Sequence, residues 1–218
     1  MNRHLIIGAS GGIGSAVAQA LHGETVTLSR SANGLDITDE ASIAKAFAKL
    51  DGQFDTVLVA TGALVIDGHE PEKTIKSLTA EALTNQYLTN AIGPALILKH
   101  ALPYLPKDRR AVFAALSARV GSIGDNRIGG WHSYRAAKAA LNQLIRGAAI
   151  ELNRTHKQAI CVALHPGTVE TPFTAKYAGH HKTVPASEAA QSLITVMDGL
   201  TTDQTGGFFD YAGKSIPW

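Results

Sequence analysis

Arg3-His4-Leu5-Ile6-Ile7-Gly8-Ala9-Ser10-Gly11-Gly12-Ile13-Gly14-Ser15 is the stretch whose reading decides the fold. Arg3 to Ile7 reads as a short buried strand, and Ser15 to His22 reads as a helix. Between them Gly8, Gly12 and Gly14 stand at Gly-x-x-x-Gly-x-Gly spacing, with Ser10 and Ile13 inside the turn. Strand, glycine-rich turn and helix is the unit that seats a phosphate on a helix N-terminus. Backbone N–H groups point at the anion, and glycines let the backbone approach it. The spacing differs from the Gly-x-Gly-x-x-Gly of most dinucleotide-binding proteins, and the lysine of a nucleoside-triphosphate loop is missing. A tight strand-to-helix turn is the competing reading of these residues.

Glu24 to Ser29 reads as a second strand, and Arg30 follows it, 22 residues after Gly8. In dinucleotide folds an acidic residue about 20 positions on binds the ribose, whereas an arginine accommodates a 2′-phosphate. Arg30 therefore favours NADP(H) over NAD(H); a solvated surface arginine is the alternative. Leu35-Asp36-Ile37-Thr38 leads into a helix over Asp39 to Leu50, with Thr38 or Asp39 as its N-cap. Asp55 to Ala60 is a near-continuous apolar strand, as parallel sheets require, and Ala60-Thr61-Gly62 ends it. Thr79 to Leu105 reads as one long helix that Pro94 kinks or divides, with Asn90 unfavourably placed inside it.

Ala111 to Leu116 and Ala159 to Leu164 are two more buried strands. Ser117 to Ser122 follows the first, and His165-Pro166-Gly167-Thr168-Val169-Glu170-Thr171 follows the second. Phe173 to Pro185 reads as a loop in which His180 and His181 are solvated. Ser187 caps a helix through Met197, and Gly207 to Tyr211 is the last strand. Strands alternating with helices predict an α/β fold: a doubly wound, Rossmann-type parallel sheet in three layers, forming one domain over residues 1–218. Ligands of such sheets bind at the carboxyl ends of the strands. The glycine turn, Thr61-Gly62, Ser117 to Ser122 and Pro166-Gly167 all fall at such ends.

The bulk numbers narrow the function. With 45% hydrophobic and 17% charged residues over 218 positions, the chain is globular, with a substantial core. A net charge of +2 with scattered acids and bases gives no reason to expect a nucleic-acid partner or a membrane anchor. One cysteine, Cys161, rules out a disulfide framework, and no apolar run approaches a membrane span. A cytoplasmic setting is the expectation.

Ser133-Tyr134-Arg135-Ala136-Ala137-Lys138 carries the chemistry. It opens a helix over Tyr134 to Arg154 that is apolar on nearly every side between Ala136 and Ile150. A sheet buries one face of such a helix, so the other suggests a subunit contact. Tyr134 and Lys138 share a helical face at i and i+4. A unit charge about 4 Å away at an effective dielectric of about 20 is worth roughly 4 kcal/mol. On that arithmetic Lys138 pulls the phenol down from its ordinary pKa of about 10, making Tyr134 a general acid/base near neutrality.

Taken together, these residues resemble the short-chain dehydrogenase/reductase family along most of the chain. The resemblance rests on Gly8-x-x-x-Gly12-x-Gly14, Asp36, Asn90, Tyr134-x-x-x-Lys138 and Pro166-Gly167-x-Val169-x-Thr171. Gly121-Ser122-Ile123-Gly124-Asp125-Asn126, Gly129-Gly130-Trp131 and Phe208-Phe209-Asp210-Tyr211 look closest to its C-factor-like branch, which is associated with cell–cell signalling. The resemblance implies hydride transfer between a nicotinamide cofactor and a small ketone or aldehyde. Tyr134 would protonate the carbonyl oxygen. Lys138 would lower the tyrosine pKa and bind the ribose, and Asn90 would hold a relay water. Gly8, Ser10, Gly12, Ile13, Gly14, Arg30, Asp36, Ile37, Ala60, Gly62, Pro166, Gly167, Val169 and Thr171 would line the cofactor, Asp36 at the adenine. The two-sided helix from Ala136 to Ile150 predicts a homodimer or homotetramer, and no metal is expected.

Two departures stand out. Ala60-Thr61-Gly62 replaces the family's Asn-Ala-Gly, and Ser117-Ala118-Arg119-Val120-Gly121 puts alanine where a serine hydrogen-bonds the substrate carbonyl. Ser117 is no simple substitute, because strand neighbours point to opposite faces. Counting back from Tyr134 by the family's spacing lands on Gly121, beside Ser122, which is the candidate replacement. The missing serine keeps a second function open: a dinucleotide-binding signalling or regulatory protein with weak or lost catalysis. An epimerase or dehydratase of the extended type needs a larger C-terminal region than 218 residues leave.

Overall fold

The computed structural model describes residues 2–171, Thr174 and residues 183–218. Six strands form one parallel sheet: β1 (Arg3–Ile7), β2 (Glu24–Leu28), β3 (Thr56–Val59), β4 (Ala111–Leu116), β5 (Ala159–His165) and β6 (Phe208–Asp210). Their order across the sheet is β2-β1-β3-β4-β5-β6. The chain leaves β1 toward one edge, then returns to lay β3 on the other side of β1. That reversal opens a crevice at the carboxyl ends of β1 and β3. Ile7 is level with both Leu28 and Val59, so the three strands end together at its floor.

Strands buried on both faces need apolar residues at every position, and every residue of β4 is buried. One face packs Leu5, Val57, Phe113 and Cys161 against α3 (Glu40–Phe47), α5 (Gly93–Ala101) and α6 (His132–Thr155), through Ile43, Ile97, Leu141 and Ile145. The other packs Ile6, Leu58, Val112 and Val162 against α1 (Gly12–Ala20) and α7 (Ala186–Gly199), through Val17, Leu193 and Met197. The three-layer α/β architecture expected from the sequence is the one observed.

Several boundaries differ from expectation. Helix α1 starts inside the glycine motif rather than after it, because Gly11 is already its extended N-cap. Asp39, not Thr38, caps α3, accepting from the Ala41 N–H at 2.9 Å. The segment after Thr79 is divided into α4 (Ala80–Tyr87), a π turn over Leu88–Ile92, α5, and a 3₁₀ turn over Leu102–Tyr104. Pro94 has no N–H for the ladder, and the wider turn before it absorbs the break. Ser187 lies within the first turn of α7, whose N-cap is the extended Pro185. Helix α6 leaves Leu144 and Ile150 exposed, in keeping with a helix of which the sheet covers one face. The readings made for Phe173, His180 and His181 lie outside the described residues.

Candidate active site

At the crevice floor, Gly12, Ile13 and Gly14 form the first turn of α1, and among the described residues no side chain caps their N–H groups. Such a turn leaves donors aimed outward for an anion. The glycines are required by close approach. A Cβ at Gly8 would lie 2.9 Å from Thr61 Cγ2 and 3.0 Å from the Ala60 carbonyl oxygen; one at Gly14 would lie 2.3 Å from the Gly8 oxygen. A Cβ at Gly12 would lie 2.7 Å from Thr171 Cγ2, so the Pro166–Thr171 segment closes against the glycine turn. Ser10 is exposed and Ile13 packs on the α7-side core. The Thr61 hydroxyl is buried beside Gly8 with no hydrogen-bond partner among the described residues. Free helix donors, a glycine cradle and a spare hydroxyl fit the phosphates and ribose of a dinucleotide.

The adenine side is more open. Arg30 is exposed at the start of α2 (Arg30–Asn33), directly after β2, with the Ser29 hydroxyl capping that turn. Asp36 accepts from the Thr38 hydroxyl at 2.7 Å and the Thr38 N–H at 2.8 Å. These bonds, with a smaller contribution from the Arg30 charge and against the opposing effect of burial, hold its carboxyl below the usual range. Ile37 packs against Gly93.

At the other end, α6 brings Tyr134 and Lys138 to the edge of β4, both buried. The Lys138 ammonium donates to the Leu116 carbonyl at 2.9 Å and sits 5.8 Å from the centre of the Tyr134 ring. Gly62 lies between this amine and Asn90: a Cβ there would be 2.9 Å from Asn90 Oδ1 and 3.5 Å from Lys138 Nζ. Asn90, fully buried in the π turn, accepts from the Ala63 N–H at 3.2 Å and donates to the Ala63 carbonyl at 2.8 Å and to Gln86 at 2.7 Å. That clamp on the loop after β3 is the physical reason for an asparagine inside a helical segment. The site thus brings Tyr134, Lys138, Asn90 and Gly62 together.

The electrostatics correct the sequence-based arithmetic. Burial pushes the Tyr134 phenol above its ordinary value instead of letting Lys138 lower it. Burial also pulls Lys138 down to about 7. Both groups are out of water, so desolvation disfavours each charged form, and the amine bonds a carbonyl rather than the phenol. Tyr134 is therefore a protonated acid at neutral pH.

Glu72 enters the site unforeseen by any motif. Its buried carboxylate accepts from the Ser133 N–H at 3.2 Å, and its backbone carbonyl accepts from the Trp131 N–H. Burial works to raise its pKa, but the Ser133 hydroxyl and backbone outweigh it and hold the carboxyl below the usual range. Trp131, the N-cap of α6, is left-handed at φ 51°, after two glycines of positive φ. Its ring meets Tyr134 edge-on at 6.3 Å. A carboxylate at a helix N-terminus is also favoured by the helix dipole. A glutamate 61 residues before its partner carries no local signal.

The structure does not free Ser122 for a substrate. Its hydroxyl donates to the Pro217 carbonyl and accepts from the Asp125 N–H, tying the C-terminal segment to this loop. Ser117 donates to Asn142 Oδ1 of α6 at 2.6 Å, and Ala118 is extended at the end of β4. Pro166, Gly167, Val169 and Thr171 follow β5; Gly167, at φ 82°, packs on the Tyr211 ring, and Val169 is buried. Among the described residues, no group of three or more metal-ligating side chains converges and no helix is long and apolar enough to cross a membrane.

Comparison with known proteins gives concordant matches. A family model described as enoyl-(acyl carrier protein) reductase matches residues 25–203. The C-signal protein of Myxococcus xanthus is 34% identical over 136 residues, covering 62% of this chain and 78% of that protein. The 1-hydroxy-2-glutathionyl-2-methyl-3-butene dehydrogenase of Rhodococcus sp. strain AD45 is 30% identical over the full length of both. The NADPH-bound carbonyl reductase from chicken fatty liver, 24% identical, shares the fold at a TM-score of 0.84 over 100% of this chain and 94% of that one. A match this long, on a chain whose sheet, glycine turn and Tyr134–Lys138 helix are built as above, makes this protein a member of the short-chain dehydrogenase/reductase family of oxidoreductases.

Proposed function

We propose that this chain is one dinucleotide-binding domain that reduces a small ketone or aldehyde with NADP(H), or oxidises the matching alcohol, with Tyr134 as general acid/base. The observation that carries this reading is the burial of Tyr134 beside Lys138, at the mouth of a glycine cradle that fits a dinucleotide. The bound cofactor supplies the hydride. The first turn of α1 holds its phosphates, and Arg30 pairs with a 2′-phosphate. Lys138 and the loop clamped by Asn90 orient the ribose. Tyr134, protonated at neutral pH, donates its proton to the carbonyl oxygen as charge develops there. Asn90 and Lys138 complete the proton path. The exposed apolar residues Leu144 and Ile150 on α6 support a homodimer or homotetramer built on that helix.

A panel of carbonyl compounds, assayed for oxidation of NADPH and of NADH, tests the reading. Turnover with NADPH preferred is expected. The absence of turnover across the panel would favour the second reading, a dinucleotide-binding signalling protein. Alanine at position 118 and the likeness to C-signal give that reading its support.

A further inference from the structure

We propose that Trp131 is a specificity-determining residue of this chain: its indole walls the substrate site and selects flat aromatic carbonyl compounds over saturated ones of the same size. The proposal rests on the reductase reading of Tyr134. The indole meets the Tyr134 ring edge-on, with 6.3 Å between ring centres and 70° between ring planes. Tyr134 is buried, whereas Trp131 is partly exposed. A carbonyl oxygen within hydrogen-bond reach of the Tyr134 hydroxyl brings its substituent to the phenol that the indole borders. An aromatic substituent there extends an existing edge-on pair, an arrangement that ring quadrupoles favour.

The backbone shows that the indole is held in place rather than tolerated. Trp131 is left-handed, at φ 51° and ψ 41°, after Gly129 at φ 68° and Gly130 at φ 65°. A third glycine would continue that run without strain, whereas a bulky side chain is disfavoured in it. Such outliers persist where the surroundings over-determine them, and they cluster at ligand sites. Hydrogen bonds on both sides fix this one. The Trp131 N–H donates to the Glu72 carbonyl, and the Trp131 carbonyl accepts from the Arg135 N–H at 2.8 Å. The Ser133 N–H donates to the Glu72 carboxylate at 3.2 Å. The chemistry nearby suits a neutral, apolar ligand. The Arg135 guanidinium donates to the Gly130 and Val120 carbonyls at 2.9 and 3.2 Å, and the Lys138 ammonium to the Leu116 carbonyl at 2.9 Å. Both cations of this turn of α6 are thus engaged by backbone carbonyls. The two loops that meet at Glu72 and Trp131 expose Ile75 and Ile128, each three residues from the meeting point. An aromatic wall, apolar flanks and engaged cations match a small neutral aromatic aldehyde or ketone.

Kinetics of the full chain with NADPH test this, with benzaldehyde against cyclohexanecarbaldehyde, which has the same skeleton without the aromatic ring. The readout is the ratio of kcat/KM for the two aldehydes, compared between the parent and its variants so that intrinsic reactivity cancels. Trp131→Gly removes the ring and relaxes the left-handed backbone; Trp131→Leu keeps apolar bulk without a π face. Both are expected to lower the benzaldehyde preference about tenfold, and Trp131→Phe by no more than about threefold, with NADPH affinity within about threefold of the parent. A role only in folding or in holding Tyr134 would lower both aldehydes alike and leave the ratio unmoved. Should either the glycine or the leucine variant fail to fold, the other carries the same decision. A folded variant of either kind that keeps the parent's ratio, or a parent that reduces cyclohexanecarbaldehyde but not benzaldehyde, overturns the role of Trp131; with Tyr134→Phe inactive, the reductase reading still stands. A parent that oxidises NADPH with neither aldehyde, or a fully active Tyr134→Phe, sinks the reductase reading and this proposal with it.

Discussion

At the scale of single residues, the pairing of Tyr134 with Lys138 was legible because helical spacing alone puts them on one face. Their protonation was not, because it depends on the water that the surrounding fold excludes. Lys138 makes this measurable in the ligand-free chain. Its pKa falls from the ordinary 10.5 to about 7 on folding. Between those values the unfolded chain binds a proton that the folded chain does not, so this group's contribution to stability rises with pH above about 7 and is lost as pH falls to 7. Urea unfolding of the parent and of Lys138→Met at pH 7 and pH 9.5 should show the parent gaining about 3 kcal/mol on the variant across that interval. A constant difference would mean that Lys138 is not buried as described. Ala118 gives a second residue-level prediction. Ala118→Ser adds only a hydroxyl at a strand end, and is expected to raise benzaldehyde turnover about tenfold or more with little change in NADPH affinity. Ser122→Ala should act mainly on stability, because its hydroxyl already serves Pro217 and Asp125. A hundredfold fall in kcat for a stable Ser122→Ala would instead identify Ser122 as the carbonyl donor.

At the scale of elements, the sequence located six strands and the principal helices because apolar runs and caps such as Asp39 are local signals. It missed the π turn at Asn90, whose cause lies across the loop at Ala63. It also missed what holds the start of α6. Trp131 accepts a left-handed conformation that a bulky side chain avoids, and Glu72 binds the turn on both sides of it. Removing that carboxylate frees the helix start three residues from Tyr134. Glu72→Ala is therefore expected to cost about 1–3 kcal/mol of stability and to lower kcat about tenfold at temperatures where the variant is folded. Glu72→Gln, which can still accept from the Ser133 N–H, should recover part of both. Kinetics and thermal melts of the two variants check this; unchanged kcat and melting temperature in Glu72→Ala would show that the first turn holds itself.

At the scale of the whole molecule, the parallel sheet was legible from alternation, and the site from the convergence of loops at strand ends. Leu144 and Ile150 are exposed on α6, 43% and 52% respectively, on a helix otherwise packed to the sheet. If they are a subunit contact, sedimentation at micromolar concentration gives a dimer or tetramer for the parent and a smaller species for Leu144→Glu. A parent that sediments only as a monomer removes the assembly from the account. The central claim is that the buried hydroxyl of Tyr134 is the proton donor of a carbonyl reduction, and it is tested most directly by Tyr134→Phe. The substitution keeps the ring and its edge-on contact with Trp131. Stopped-flow oxidation of NADPH with a carbonyl compound that the parent reduces, together with NADPH titration, should show turnover lost by about 100-fold or more with cofactor affinity unchanged. A folded, NADPH-binding Tyr134→Phe that keeps most of its turnover would contradict the account.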